Sequence, residues 1–336
     1  MNAMNARAVA VPAVLGVPGF LLAMLCGLMA ATPAQAQDNY PNRPIKIIQG
    51  FAPGGNADSI ARVLGQEMSR SLGQPIIVEA RAGAGGNIAA EAVSRAQPDG
   101  YTLLLAVGGH TVSGALYNTL GYKSVEGFEW ISTATVFPFV LSVRSDSPQQ
   151  SVAELLTLAS AKADGVSYGS AGVGSTQHLT GALLASVTGR QLLHVPYKGD
   201  AAALAALLAG DVNFVIAPGT ATLPHVRGGR LKAIAVSGAT RWQGLPDVPT
   251  VQEAGVTGFD VGSWAGLATT AGTPRAIVDR LNAEMQKALQ SPEVRARLEG
   301  FGGEVRGSTS GEMRNRVAGE VQRWSKVISE ARIPKQ

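Results

Sequence analysis

Tyr168-Gly-Ser-Ala-Gly-Val-Gly-Ser-Thr-Gln-His-Leu179 is the stretch of sequence that decides the fold. Residues 166–168 predict a short strand, the glycines at 169–174 predict a turn, and Ser175 predicts the start of a helix. The helix carries an apolar stripe at core-facing spacing, made of Leu179, Leu183, Leu184 and Val187. This order is typical of an α/β fold, and it aims unpaired helix amides and the positive end of the helix dipole at the turn. The turn therefore suits an anion.

A missing lysine indicates which anion the turn favours. Gly169-x4-Gly174-Ser175-Thr176 departs from a phosphate-binding P-loop at one position, because Ser175 replaces the lysine that reaches the β- and γ-phosphates. A single carboxylate, held by amides and hydroxyls, therefore fits better than a triphosphate. The alternative is purely structural: Ser175 caps the helix and the glycines only turn the chain. The motif alone leaves both interpretations open.

Residues 1–36 have the composition of a secretory signal peptide. They contain one charged side chain, Arg7, an apolar run that is densest at 21–31, and a small-residue ending, Ala34-x-Ala36. We expect cleavage near Ala36 and export of the remainder. An uncleaved membrane anchor is the competing interpretation, but prolines interrupt the apolar run and its ending is that of a cleavage site.

The mature chain, residues 37–336, excludes several classes of function by composition. The single cysteine, Cys26, leaves with the first 36 residues, so no disulfide or thiol chemistry is expected. Removing Arg7 leaves 27 Lys and Arg against 24 Asp and Glu, with no basic run that would indicate a nucleic-acid partner. The remaining length is enough for two α/β domains of ordinary size.

Strand and helix patterns alternate along most of the mature chain. Strands separated by helices predict right-handed crossovers and a parallel sheet. The predicted strands are 45–49, 75–78, 101–106, 166–168, 192–195, 212–217 and 231–237. Glycine-rich turns follow most of them, at the sheet edge where open α/β sheets bind ligands. Two amphipathic helices, starting at Thr273-Pro274 and at the capping box Thr309–Glu312, are expected to pack on the first half.

Eight short motifs follow one another along the mature chain. They are Tyr40-Pro-x-Arg-Pro44, Phe51-Ala-Pro-Gly-Gly-x-x-Asp58, Gly83-Ala-Gly-Gly-Asn87, Pro98-Asp-Gly-Tyr-Thr-Leu103, His194-Val-Pro-Tyr-Lys-Gly199, Leu245-Pro-Asp-Val-Pro-Thr250, Glu253-Ala-Gly255 and Ala271-Gly-Thr-Pro274. Each is weak alone, but together and in this order they resemble the Bug-type receptors, the substrate-binding proteins of tripartite tricarboxylate transporters. The resemblance covers essentially the whole mature chain.

The resemblance implies an α/β, two-lobed periplasmic-binding-protein (Venus flytrap) fold, each lobe a mostly parallel sheet flanked by helices. After the signal peptide (1–36), residues 37–138 with 262–336 would form lobe 1, and 139–261 lobe 2. The implied function is that of a non-enzymatic receptor in the periplasm. It would bind a small carboxylate between the lobes and deliver it to membrane transporter subunits, or report it to a signalling sensor. We expect a monomer with no cofactor, no metal and no nucleic-acid partner.

The resemblance also implies a set of ligand contacts, carried over by position. In the first lobe they are Phe51, Gly54, Gly55, Asn56, Gly109 and His110, and in the second lobe Ser170, Gly174, Ser175, Thr176, His178, Tyr197 and Ala217. Trp264 and Phe137 lie near the presumed crossovers and are interpreted as hinge packing. The family often carries an acidic or amide residue after the strand at 212–217, where this chain is apolar through Pro218. We therefore expect a plain mono- or dicarboxylate, not an amino acid.

A secreted hydrolase that uses the same cleft is the rival hypothesis. Gly165-Val-Ser-Tyr-Gly169 matches Gly-x-Ser-x-Gly, but that pattern needs its serine at a strand-to-helix turn, and Ser167 lies inside a predicted strand. His178 and His194 could act as general bases only beside a correctly placed nucleophile, and the sequence shows none. The four histidines show no metal-binding spacing. Gly83-x-Gly85 lacks the third glycine and the acid of a dinucleotide site.

Overall fold

The computed structural model describes residue 10, residues 40–162 and residues 165–336. The predicted signal peptide and its cleavage site lie outside the described residues, apart from Ala10. Residues Pro41–Gln336 form one unit by their internal contacts. In the described part of the chain, no helix has both the length and the apolar character needed to cross a bilayer.

Strands and helices alternate in the described residues, as the sequence predicts. The strands are β1 (Ile45–Gln49), β2 (Ile76–Ala80), β3 (Thr102–Val107), β4 (Phe128–Arg144), β5 (Val166–Ser170), β6 (Leu192–Pro196), β7 (Phe214–Pro218), β8 (Leu231–Val236), β9 (Gly262–Thr270) and β10 (Glu304–Val305). The helices are α1 (Asn56–Leu72), α2 (Asn87–Ser94), α3 (Gly109–Leu116), α4 (Val152–Ala161), α5 (Thr176–Thr188), α6 (Asp200–Ala209), α7 (Gly219–Arg227), α8 (Arg275–Gln290), α9 (Pro292–Gly300) and α10 (Ser310–Glu330). A single 3₁₀ turn, Ala84–Gly86, precedes α2.

The long strand β4 joins two sheets. Its residues Phe128–Pro138 pair with β9, and its residues Phe139–Arg144 pair with β7 and β8. We call sheet I the set β2, β1, β3, β9, β10 and the first part of β4. Sheet II is the second part of β4 with β8, β7, β5 and β6. The change of partners falls at Pro138, a residue that cannot donate to a ladder and is disfavoured inside a central strand.

Most of the predicted pairing is observed. Strand β1 is parallel to both β2 and β3, and β5 is parallel to both β6 and β7. Strand β9 enters sheet I antiparallel between β3 and β4, so each sheet is mixed near the β4 crossover. The architecture is therefore α/β, with mostly parallel outer strands, helices around them, and antiparallel strands connecting the two sheets.

The terminal helices pack where the sequence places them. Helices α8 and α10 both pack against β4. The capping box of α10 is complete: Glu312 N–H donates to Thr309 Oγ1 (3.2 Å) and Thr309 N–H donates to Glu312 Oε2 (2.8 Å). In α5 the apolar stripe is shorter than predicted. Leu179 and Leu184 are buried, but Val187 is 52% exposed, because the buried face ends one turn before the helix does.

Candidate functional site

A small cavity lies between the two sheets, at the carboxyl ends of their parallel strands. Its wall is formed by Phe51, Asn56, Ala57, Val107, Gly109, Phe137, Phe139, Thr176, Gln177, Asp200, Pro218 and Ser263. Its volume is about 20 Å³, room for about one water molecule. The cavity is therefore too small for a solute larger than water in this structure.

Five helices begin at this cavity. The wall contains the first residue of α1 (Asn56), α3 (Gly109), α5 (Thr176) and α6 (Asp200), and the N-terminal flanking residue of α7 (Pro218). Helix N-termini carry unpaired N–H groups and the positive end of the dipole, so their convergence favours a negative ligand. Within the described residues, no Lys, Arg or His lines the cavity. Any electrostatic stabilisation of an anion would therefore come from the backbone dipoles and not from a cationic side chain.

Thr176 has an unsatisfied polar atom in this wall. Its Oγ1 is buried and has no hydrogen-bond partner, although the side chain is only 2% exposed. The neighbouring Ser175 is already satisfied, because its Oγ donates to the Gly172 carbonyl (2.7 Å) and accepts from His178 N–H (3.2 Å). A buried hydroxyl without a partner is costly, so Thr176 Oγ1 is a natural contact for a ligand oxygen. Ser175 is the helix cap and Thr176 is the group that faces the cavity.

The predicted contacts divide into wall residues and supporting residues. Phe51, Asn56, Gly109 and Thr176 line the cavity. Other predicted residues support the helix starts: Gly54 N–H donates to Asp58 Oδ2 (3.0 Å), and Gly55 is the N-terminal flanking residue of α1. Tyr197 N–H donates to the Ser170 carbonyl (3.0 Å), and Ala217 lies in β7, one residue before Pro218 of the wall. These residues shape the loops without lining the cavity.

His110 lies in an aromatic cluster and does not line this cavity; it lines a second small cavity that shares Phe51 and Val107 with it. Its Nε2 is 2.7 Å from the Ser124 carbonyl oxygen, and its ring stacks on Tyr122 and meets Phe128 edge-on. Burial lowers the pKa of His110 to about 4, so the imidazole is neutral at physiological pH. It follows Gly109 on α3, but successive helix residues point about 100° apart, which carries its side chain into the core.

Two histidines, the predicted contact His178 and also His194, hold the glycine-rich loop. Ser170 Oγ is 2.6 Å from His194 Nε2, and the rings of His194 and His178 stack with centroids 4.1 Å apart. Gly174 N–H points at His178 Nδ1 (3.4 Å). Burial lowers the pKa of His178 to about 4 and, with the neighbouring ring, that of His194 to about 3. Both rings are therefore neutral, and they connect Ser170 and Gly174 to the body of sheet II.

Asp200 is the wall residue that the sequence-based reasoning missed. It is 8% exposed, and its Oδ1 accepts a hydrogen bond from Gln177 Nε2 (2.8 Å). The backbone N–H of Asn56, across the cavity, also donates to this carboxylate. Burial raises the pKa of Asp200 to about 6. The site therefore contains an acidic side chain from α6, although the end of β7, where the family often has an acidic or amide residue, is apolar in this chain. Its sequence signal is weak: Gly199-Asp200 follows the predicted strand 192–195 at the start of a helix, but this does not show that the helix begins at the cavity.

The apolar part of the wall was also only partly predicted. Phe137 and Phe139 of β4 both line the cavity, and their rings meet edge-on with centroids 6.0 Å apart. Phe137 is thus a cavity residue as well as a residue of the crossover strand. Trp264 is buried against Trp130 and donates its Nε1–H to Glu320 Oε2 (2.7 Å), consistent with the hinge-packing interpretation.

Glycine loops from the two sides of the cavity meet backbone to backbone. A Cβ built on Gly85 would lie 2.5 Å from the Val173 carbonyl oxygen and 3.0 Å from the Gly174 carbonyl carbon. Thr220 at the start of α7 contributes a second bridge, because its single hydroxyl proton lies within reach of two acceptors, Asn56 Oδ1 and the Phe301 carbonyl oxygen. These contacts join the sheet I side to the sheet II side over the closed cleft.

A larger groove of about 770 Å³ shares Phe137 and Ser263 with the cavity. It is lined by both charge signs, among them Arg306, Arg316 and Glu320, with Trp242 on one side. Its charged groups have partners on the protein: Arg306 Nε pairs with Glu304 (2.7 Å), and Arg316 Nη1 lies 3.7 Å from Glu320. Among the described residues that line this groove, none is the first residue of a helix, in contrast to the cavity.

Ser167 has the surroundings of a structural residue. It lies in β5, its Oγ donates to Asn213 Oδ1 (2.9 Å), and it accepts from Asn213 N–H (3.2 Å). The helix that follows starts at Thr176. A nucleophile elbow requires the serine at the strand-to-helix turn itself, which Ser167 does not occupy.

Comparison with known proteins supports the same family as the motifs. The family model described as "Tripartite tricarboxylate transporter family receptor" matches residues 60–333. Protein BugT of Bordetella pertussis is 35% identical over 302 residues, which cover 89% of this chain and 92% of BugT. The structure of the periplasmic binding protein BugD is 36% identical with a TM-score of 0.84, covering 88% of this chain and all of BugD.

Two similar structures contain dicarboxylates. MatC from Rhodopseudomonas palustris, with bound malate, is 34% identical with a TM-score of 0.82 and covers 86% of this chain and all of that one. Rpa4515 of R. palustris, with adipate, is 34% identical with a TM-score of 0.84 and covers 88% of this chain and 99% of that one. The chain therefore belongs to the tripartite tricarboxylate transporter receptor family, the Bug-type periplasmic binding proteins, and shares their fold.

Proposed function

We propose that this protein is a periplasmic solute receptor that binds a small carboxylate between two lobes. Residues 37–138 with 262–336 would form one lobe and residues 139–261 the other, with β4 and β9 as the hinge strands. The observation that carries the proposal is the Thr176 hydroxyl. It is buried and unpartnered, and it lies in a cavity on which five helix N-termini converge. That arrangement solvates an anion without a fixed cation.

The shape of the wall favours a dicarboxylate with a short carbon chain. Val107, Phe137 and Phe139 supply an apolar surface beside the polar residues Thr176 and Gln177. The related proteins whose structures contain malate and adipate bind ligands of this kind. We propose Phe51, Asn56, Gly109 and Thr176 as direct contacts from the predicted set, and Gln177 and Ser263 as added ones.

The proposed receiver of the ligand is a set of membrane transporter subunits that recognise the closed form. Family membership supports this choice. A signalling sensor that recognises the same closed form is the alternative receiver. We further propose that the protein acts as a monomer without enzymatic activity, after removal of residues 1–36. The hydrogen-bonded, strand-embedded position of Ser167 supports the non-enzymatic assignment.

Calorimetric titration with a panel of mono- and dicarboxylates tests the proposal. One or more dicarboxylates should bind with a one-to-one stoichiometry and raise the melting temperature. Recovery of the same compound, unchanged by NMR after prolonged incubation, should separate a receptor from a hydrolase. Failure of every carboxylate to bind the refolded protein, or conversion of a bound one, would contradict the proposed function.

A further inference from the structure

Asp200 places a negative charge in a site proposed for a negative ligand. Its carboxylate lies in the cavity wall and is almost fully buried. It accepts from Gln177 Nε2 on its own side and from the Asn56 backbone N–H on the opposite side. Both donors are neutral. The start of α6 supplies only the partial positive charge of a helix N-terminus.

Ionisable groups on the sheet I side do not offset this charge. On α1, Asp58 is paired with Arg62, whose Nε lies 2.8 Å from Asp58 Oδ2, so this pair carries no net charge. On α3, His110 is neutral because burial lowers its pKa to about 4. In the part of the chain that the structure describes, no cationic side chain lines the cavity.

Groups on the sheet II side do not offset it either. His178 on α5 and His194 on β6 are neutral at physiological pH, because burial lowers their pKa values. Burial also raises the pKa of Tyr197, which keeps that phenol uncharged. Lys198, on the turn before α6, is exposed to solvent. On α7 the basic residues, His225 and Arg227, belong to the last turn, at the opposite end from the cavity.

We infer that the cleft binds a dicarboxylate together with one proton, which is taken up by the Asp200 carboxylate as the cleft closes. This inference rests on the proposed function. Two carboxylates that share a small, dry site cannot both stay ionised, so the second negative charge drives protonation of the first. The protonated Asp200 keeps acceptor lone pairs for Gln177 and Asn56, while its new O–H can donate to the ligand.

Proton uptake on binding predicts the direction in which affinity changes with pH. Burial already raises the pKa of Asp200 to about 6 in the closed cleft, and a nearby anion raises it further. The bound state therefore holds more protons than the open, unliganded state. Affinity is then highest at low pH and falls as the pH rises through the pKa of the bound state. One linked proton weakens binding by at most about tenfold per pH unit.

Isothermal titration with succinate, malate and adipate, between roughly pH 7 and 8.5, tests the inference, since both carboxylates of these ligands are ionised in that range. Parallel titrations in two buffers of different ionisation enthalpy give the number of protons taken up. The wild-type protein should take up close to one proton per dicarboxylate at the lower end of this range. Asp200→Asn, which mimics the protonated acid, should bind with little pH dependence and more tightly than wild type at pH 8.5.

Two comparisons sharpen this experiment. Asp211→Asn removes an exposed acid at the other end of α6 and should keep the wild-type proton uptake. Aspartate brings its own ammonium group, so any binding of it should involve no proton uptake. Dicarboxylate binding without proton uptake, or uptake that persists in Asp200→Asn, would overturn the inference and leave the proposed function standing. Absence of binding by every carboxylate at every pH would overturn both.

Discussion

Replacing Gly85 by alanine should block closure of the cleft without touching the ligand. The added Cβ would lie 2.5 Å from the Val173 carbonyl oxygen, whereas ordinary contact begins near 3.4 Å, so the two loops must separate by roughly 0.9 Å. The obstructing atoms belong to the backbone before α5 and cannot rotate away. Overpacking of this kind costs about 1–3 kcal/mol, here only in the closed state. Affinity for the dicarboxylate should therefore fall about 5- to 150-fold.

A matched variant separates this clash from backbone strain. Gly85 has φ +65°, a left-handed conformation that costs alanine about 1 kcal/mol or more in the open and closed states alike. Gly73 has nearly the same φ, +69°, but a Cβ there meets no atom within 4 Å. Gly73→Ala should lower the melting temperature and leave the affinity unchanged.

Calorimetry on both variants, with small-angle scattering to follow lobe closure, decides the matter. Gly85→Ala should stay open at ligand concentrations that close the wild type. Wild-type affinity in Gly85→Ala, or an equal loss of affinity in Gly73→Ala, would refute the closed-cleft reasoning.

Three further perturbations follow from the described contacts. Thr176→Val removes the unpartnered hydroxyl, so the ligand-free protein should keep its stability against denaturant or gain about 1 kcal/mol. Its affinity for the dicarboxylate should drop several-fold. An unchanged affinity would argue against a ligand oxygen at that position. Ser167→Ala should cost about 1 kcal/mol of stability, because the hydrogen bonds to Asn213 are lost, and should leave ligand binding intact. If the wild type converts its ligand and Ser167→Ala does not, the hydrolase hypothesis is supported. Burial lowers the pKa values of His178 and His194 to about 4 and about 3. Below the ordinary histidine pKa, the unfolded chain therefore binds more protons than the folded one. The free energy of unfolding should then fall between about pH 6.5 and 4, by up to about 1.4 kcal/mol per pH unit for each histidine. Urea titrations of wild type and His194→Gln should show a shallower acid slope in the variant; equal slopes would contradict this explanation.

The sequence alone indicates most of the parallel part of the fold. Strands β1, β2 and β3, the glycine turns after them, and the start of α5 all follow from local patterns. Strand β4 does not, because Pro138 interrupts its run and because its two halves pair with different sheets. Its register depends on β7, β8 and β9, which are distant in sequence.

The site was predicted less completely than the fold. Backbone donors at helix starts can be located from strand–glycine–helix patterns, which indicated Thr176, whereas Asn56 and Gly109 were carried over from the family resemblance; all three line the cavity. Side-chain direction is set by tertiary packing, which the sequence does not show: the His110 side chain lies in an aromatic cluster and does not line this cavity. Asp200 was missed for the opposite reason. Nothing in its own segment shows that α6 begins at the same cavity as α1 and α5.

A crystal structure with the most tightly bound dicarboxylate tests the central claim most directly. We predict a ligand carboxylate between the two sheets, with one oxygen about 2.5–3.0 Å from Thr176 Oγ1 and with backbone amides from the starts of α1 or α3 donating to the same carboxylate. A ligand seated instead in the larger groove beside Trp242 and Arg316, with Thr176 Oγ1 still unpartnered, would contradict it.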